Sequence, residues 1–262
     1  TYYNLPKDNV LIKTLFKDLE YLSKHLQVFM IGQTIGPYTN GRIKWVKKGL
    51  KGVTIYSRDD VSSRYVKDVL NKENKTSRDL AFLDLKLQNK FIKDRSNILK
   101  KYNLEENKYI TIVGTGLTTQ YTDNEDDMID KFYMLIKKTK NKYPDYKLVW
   151  LSHVTSIDTK YNDNYILNKI NKKYNDFINK NCVVINEVIL PVEARIILGN
   201  GIMTVTCRMH AAVSTFQMGK PAICLSYSSK YKGVISAGLK SEDLVIEAKG
   251  NNLLETTIDD VV

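Results

Sequence analysis

Short runs of β-branched and aliphatic residues alternate with amphipathic stretches along the whole chain, the pattern of βα units feeding a mainly parallel sheet. These runs predict strands over Val28 to Ile31, Val53 to Tyr56, Tyr109 to Val113, Leu148 to Leu151, Val183 to Ile185, Ile202 to Val205, Ala222 to Leu225 and Leu244 to Ile246. Between them the apolar spacing is helical. The clearest helix spans Asn124 to Tyr143, with Glu125, Asp126 and Asp127 at its start and Lys137, Lys138, Lys140 and Lys142 towards its end, matching the helix dipole at both ends. A second helix starts near Asp59, with Ser57 or Asp59 placed to cap it, and a third near Arg208.

The stretch Asn89 to Asn107 is polar and Lys-rich, yet Phe91, Ile92, Ile98 and Leu99 keep helical spacing, so it reads as a helical linker. The expected division is an N-terminal α/β domain over residues 1–90 and a C-terminal Rossmann-like domain over 91–262. Six of the eight predicted strands fall in the second domain. Two strands are too few for an independent α/β layer, so the first domain is expected to be truncated at its beginning. No apolar run approaches the roughly 18 residues of a spanning helix.

Composition narrows the classes. Of 262 residues, 43% are hydrophobic and 26% charged, which is globular rather than disordered. Lys and Arg exceed Asp and Glu by 40 to 29, a net charge of +11. Most of that charge is Lys scattered among Asn, Asp and Tyr on helix faces, an ordinary solvated surface that attracts anionic substrates, acidic glycans or membrane surfaces. The tyrosines form no recognisable stacking motif, and nucleic acid is not an expected partner. Cys182, Cys207 and Cys224 are too few and too odd in number for a disulfide framework and point to a reducing compartment. Thr1-Tyr2-Tyr3-Asn4 has no features of a signal peptide and reads as an internal cut.

In an open α/β sheet, ligands sit at the carboxyl ends of the strands, so the informative residues are those that follow each strand. Cys207-Arg208-Met209-His210 stands out, because Arg and His emerge where an apolar strand ends and a helix begins. A helix N-terminus favours anions, and an Arg there makes a phosphate or carboxylate site with His210 as an acid or base. The plainer alternative is an Arg208 ion pair and a capping His210. Zinc on Cys207 and His210 lacks two further ligands at suitable spacing, so no metal is expected. Lys230, after the next strand with Tyr227 and Ser228, is placed to share a cleft with His210. His153, followed by Asp158 in a polar turn, is either a ligand contact or structural, and His25 is structural. Gly114-Thr115-Gly116 is either a loop that brings backbone close to a ligand or a tight turn. Glu187 also follows a strand.

Taken in order, these segments resemble the polysaccharide pyruvyl transferase family. The matching pieces are Gly32-Gln33-Thr34-Ile35-Gly36-Pro37, Ser57-Arg58-Asp59 with Ser62, Asp79-Leu80-Ala81-Phe82, Arg208-Met209-His210-Ala211, Gly219-Lys220-Pro221, Tyr227 and Lys230. The resemblance implies two Rossmann-like domains in the GT-B arrangement, with a cleft between them. It implies transfer of a pyruvyl group from phosphoenolpyruvate to two hydroxyls of a sugar, giving a cyclic ketal and phosphate. It assigns His210 as the acid, Arg208 as a donor-binding cation with Met209 beside it, and Lys230 as a basic residue stabilising charge. Gly114, Thr115, Gly116, His153, Glu187, Tyr227 and Ser228 complete the expected substrate contacts. The implied partners are phosphoenolpyruvate and a sugar or lipid-linked glycan, with no cofactor. The implied location is the cytoplasm, including peripheral association with the inner face of the membrane.

Two departures stand out. Family members often carry an Arg in the loop after the first strand of the C-terminal domain, where residues 114–120 hold no cation. Backbone N–H groups around Gly114 and Gly116 are the expected substitute. The family also opens with a glycine-rich strand and loop that would precede Thr1. Two other readings stay open: a nucleotide-sugar glycosyltransferase of the same architecture, motivated by the Glu187 loop, and a non-catalytic glycan-binding relative.

Overall fold

The computed structural model describes residues 10–38, 40–156 and 161–249. Thr1 to Asn4 and Asp158 lie outside these. Contacts divide the chain into two units, one of residues up to Leu80 with Lys232–Ser241, the other of Ala81–Tyr231 with the residues from Glu242 onward.

The first unit holds β1 (Val28–Gln33), β2 (Val53–Ser57) and β3 (Lys75–Thr76), all parallel and in that order. Its core gathers Phe16, Val46, Val53, Ile55 and Val66, from β2 and the helices Val10–His25, Asn40–Gly49 and Asp60–Asp68. β3 adds a third strand to the two expected. Its two residues are exposed and polar, so no hydrophobic pattern announces it. Asp59 rather than Ser57 caps the following helix, its Oδ1 accepting from the Ser62 N–H at 2.7 Å.

The second unit holds β4 (Tyr109–Val113), β5 (Lys147–Leu151), β6 (Cys182–Ile185), β7 (Met203–Thr206), β8 (Ala222–Ser226) and β9 (Val245–Glu247). Each lies within a residue or two of its expected bounds. The sheet order is β6-β5-β4-β7-β8-β9, parallel throughout. Strand residues alternate between two cores, as a doubly wound sheet requires. Ile110, Ile112, Leu148 and Trp150 meet helices Glu125–Lys142 and Asn164–Lys173, while Tyr109, Val113, Val149 and Leu151 meet helices Arg95–Lys101, Pro191–Asn200 and Met209–Gln217. The Lys-rich stretch after residue 88 is helical, over Gln88–Lys93 and Arg95–Lys101, and it packs on Pro191–Asn200 inside this unit. The first unit therefore ends at Leu80, and this helical stretch belongs to the second.

The strand order sets the site. From β4 the chain steps to β5 and β6 on one side, then returns to β7 on the other side of β4. At such a reversal ligands are expected beyond the carboxyl ends of β4 and β7, where the loops Gly114–Gly116 and Cys207–His210 begin. Among the described residues no helix is long and apolar enough to cross a membrane.

Candidate functional site

β7 ends at Thr206, whose hydroxyl accepts the Arg208 N–H at 2.8 Å and fixes the turn into helix Met209–Gln217. Arg208 is the N-cap of that helix and His210 lies in its first turn, exposed. Met209 is buried and packs into the protein. The Arg208 guanidinium donates to Asp163 Oδ1 from Nε at 2.9 Å and from Nη2 at 2.5 Å, and from Nη2 to the Tyr161 carbonyl at 3.0 Å. Nη1 makes no hydrogen bond among the described residues.

Asp163, fully buried, organises three loops at once. Its Oδ1 also accepts the Gly116 N–H at 3.3 Å, and its Oδ2 accepts the N–H groups of His153 at 3.1 Å and Val154 at 2.9 Å. Burial raises the pKa of this carboxyl, while Arg208 and the backbone donors pull it back down. The loops after β4, β5 and β7 thus meet on one carboxylate. Nothing in the sequence singles Asp163 out of the polar turn Tyr161-Asn162-Asp163-Asn164.

The glycine loop is already engaged. A Cβ at Gly114 would lie 2.6 Å from the Trp150 ring, so close packing requires this glycine. Thr115 is buried and its hydroxyl accepts the Leu117 N–H at 3.0 Å. With Gly116 N–H turned to Asp163 and Leu117 N–H to Thr115, these two donors, from the loop expected to replace the missing cation, serve the protein itself.

His153, Ser152, Glu187, His210 and Ser214 line a cavity of about 240 Å³, together with Arg195 from helix Pro191–Asn200. Burial first, then the charges of His210 and Arg208, presses the His153 pKa down to about 4, so its imidazole is neutral at physiological pH. Glu187 sits at the rim, its carboxylate held by Lys101 Nζ at 2.8 Å and the Tyr102 hydroxyl at 2.7 Å. Arg195 is 2% exposed. It donates from Nη1 to the Leu83 carbonyl and to Gln88 Oε1, both at 2.8 Å, and from Nη2 to the Ala81 carbonyl at 2.7 Å. The sequence signal for it is an Arg inside the otherwise apolar run Ala194-Arg195-Ile196-Ile197-Leu198.

Lys230 faces a different group. Its Nζ donates to the Tyr227 hydroxyl at 2.9 Å and lies 5.0 Å from that ring's centre. The neighbouring Tyr231 hydroxyl donates to the Cys207 carbonyl at 2.6 Å, and the Tyr121 hydroxyl reaches the same carbonyl at 3.0 Å. The Lys230 segment is thereby pinned beside the Arg208 turn, with no hydrogen bond to Arg208 or His210 among those described. Ser228 Oγ is buried without a hydrogen-bond partner among the described residues. Burial pushes the thiols of Cys182, Cys207 and Cys224 up to about 12, so none is a nucleophile at neutral pH.

In the first unit the motif pieces form one network. Arg58 Nε donates to Thr34 Oγ1 at 2.7 Å and its Nη1 pairs with Asp79. Thr34 Oγ1 donates to Asp59 Oδ2 at 3.2 Å, and Ser62 Oγ accepts the Ile35 N–H at 3.0 Å.

Residues 7–229 match the family described as polysaccharide pyruvyl transferase. No curated protein matches the sequence. Among solved structures, UDP-GlcNAc 2-epimerase from Methanocaldococcus jannaschii is similar at TM-score 0.59 and 13% identity, over 95% of this chain and 66% of that one. A glycosyltransferase from Rickettsia africae ESF-5 is similar at TM-score 0.53 and 10% identity, over 98% and 72%. UDP-GlcNAc 2-epimerase from Neisseria meningitidis, bound to UDP-GlcNAc, is similar at TM-score 0.51 and 10% identity, over 94% and 72%. These likenesses are of fold: two parallel α/β sheets of the Rossmann type, as in GT-B proteins.

Proposed function

The chain belongs to the polysaccharide pyruvyl transferase family, and from that premise we propose that it transfers a pyruvyl group from phosphoenolpyruvate to two hydroxyls of a sugar in a glycan, forming a cyclic ketal and releasing phosphate. The supporting observation is the turn after β7: Arg208 is oriented by a buried carboxylate with its Nη1 making no hydrogen bond among the described residues, and His210 stands two residues on, at the edge of a cavity.

In this reading the Nη1 side of Arg208 holds an oxyanion of the donor. His210 gives its proton to the methylene carbon, turning it into a methyl group and leaving C2 oxocarbenium-like. A sugar hydroxyl adds to C2 and returns its proton to His210. Departure of phosphate regenerates a cation at C2, the second hydroxyl closes the ring, and its proton leaves with phosphate. Neutral His153 is a hydrogen-bonding partner in this scheme and adds no charge that would compete with the donor's anions. Lys230 contributes positive charge from the β8 end. The scheme needs no redox cofactor and no metal, and it places the chain in the cytoplasm, where a lipid-linked glycan acceptor lies at the inner membrane face.

The test is phosphate release from phosphoenolpyruvate over a panel of glycan acceptors, with the ketal methyl group followed by NMR. Wild type releases phosphate in step with ketal formation. His210→Ala binds donor and releases none, whereas normal turnover in that variant removes His210 as the acid.

A further inference from the structure

Arg195 is a buried cation that hydrogen-bonds to no carboxylate among the described residues. Its hydrogen-bond partners are two backbone carbonyls and an amide oxygen, which are dipoles rather than charges. Asp84 is the carboxylate that acts on it electrostatically, and Asp84 is itself bonded to Gln217 Nε2 at 2.6 Å and Gln88 Nε2 at 3.3 Å. A guanidinium has five N–H donors. Three are matched here, and Nε is buried with no hydrogen-bond partner among the described residues. A desolvated charge left in this state costs several kcal/mol unless an anion arrives to pair with it. The cavity that Arg195 borders is also lined by His210, the proposed acid, and by His153.

We propose that Arg195 is the second cation of the donor site and takes an oxyanion group of the enol phosphate in the cavity it shares with His210. This rests on the reading of phosphoenolpyruvate as donor. It supplies from the helix after β6 the charge that the cation-free loop 114–120 does not carry. Its three protein acceptors hold the guanidinium plane in place before the ligand binds, which lowers the ordering cost of binding.

The test follows the arginine Nε resonances of the whole, 15N-labelled chain during separate titrations with phosphoenolpyruvate and with inorganic phosphate, alongside calorimetry on wild type and Arg195→Gln. The expected result is a saturable shift of the Arg195 Nε signal with the calorimetric midpoint, and binding at least tenfold weaker in a folded Arg195→Gln. If that variant does not fold, the wild-type resonance decides alone. Phosphoenolpyruvate binding with the Arg195 signal unmoved, or unchanged affinity in Arg195→Gln, overturns the assignment and leaves the donor reading standing. A shift with phosphate while phosphoenolpyruvate is silent keeps the anion site and overturns the donor reading. Silence from both ligands overturns both.

Discussion

Asp163 takes two donors of Arg208 on a single oxygen, Nε at 2.9 Å and Nη2 at 2.5 Å, while its other oxygen accepts the backbone of His153 and Val154. One buried carboxylate therefore fixes both the orientation of the donor-binding Arg and the path of the loop that carries His153. Removing it leaves Arg208 an under-compensated charge and releases two loops at once.

Asp163→Ala is expected to destabilise the second unit by about 3–5 kcal/mol, the usual cost of breaking a buried ion pair from one side. Asp163→Asn keeps the shape and some of the hydrogen bonds, and is expected to cost less while still weakening phosphoenolpyruvate binding. Urea unfolding paired with donor titration checks both, and an Asp163→Ala chain with wild-type stability would contradict the role given to this residue.

His153 makes stability depend on pH with a definite sign. Its pKa is about 4 in the fold and about 6.5 when unfolded. Between those values the unfolded chain binds a proton that the folded chain refuses, so stability is full above pH 6.5 and is lost as pH falls towards 4. The loss is on the order of 2–3 kcal/mol. Unfolding midpoints for wild type and His153→Asn at pH 7.5 and 4.5 measure it. The pH difference should shrink in the variant, and equal differences would count against a neutral His153 imidazole in the fold.

Gly114→Ala tests whether the glycine loop serves packing. The added methyl meets the Trp150 ring and the Ile166 side chain, both in the core formed with helices Glu125–Lys142 and Asn164–Lys173. Overpacking of this kind costs about 1–3 kcal/mol. A drop in melting temperature is expected, and none would show that the loop has room to shift.

Much of this architecture is written in the chain's hydrophobic pattern. β4 follows it residue for residue, because Tyr109 to Val113 is buried on both faces and no polar position blurs its ends. Asn124 and Asp59 cap their helices as short polar side chains at such positions do. β3 was illegible because an exposed Lys-Thr pair joins the sheet through backbone alone. Helices Gln88–Lys93 and Arg95–Lys101 are legible in the spacing of Phe91, Ile92, Ile98 and Leu99, but that spacing does not encode their packing on Pro191–Asn200 within the second unit.

The site was legible in part. Arg208 and His210 stand out at the end of an apolar strand, and both lie where the strand order opens the sheet. Asp163 and Arg195 escaped, since the first is one of several polar residues in a turn and the second sits inside a helix that otherwise reads as core. Their significance comes from what they meet across about 45 and 110 residues of chain, a relation no local pattern encodes.

The most direct measurement is a calorimetric titration of phosphoenolpyruvate into wild type and Arg208→Lys, with UDP as a parallel ligand. Lysine keeps a charge near Asp163 but lacks the planar fork that spans Asp163 and the Tyr161 carbonyl. Saturable phosphoenolpyruvate binding in wild type, weakened at least tenfold in a folded Arg208→Lys and with UDP silent, is the result expected of a pyruvyl transferase donor site. UDP binding with indifference to phosphoenolpyruvate would contradict it and point to a nucleotide-sugar enzyme on the same fold.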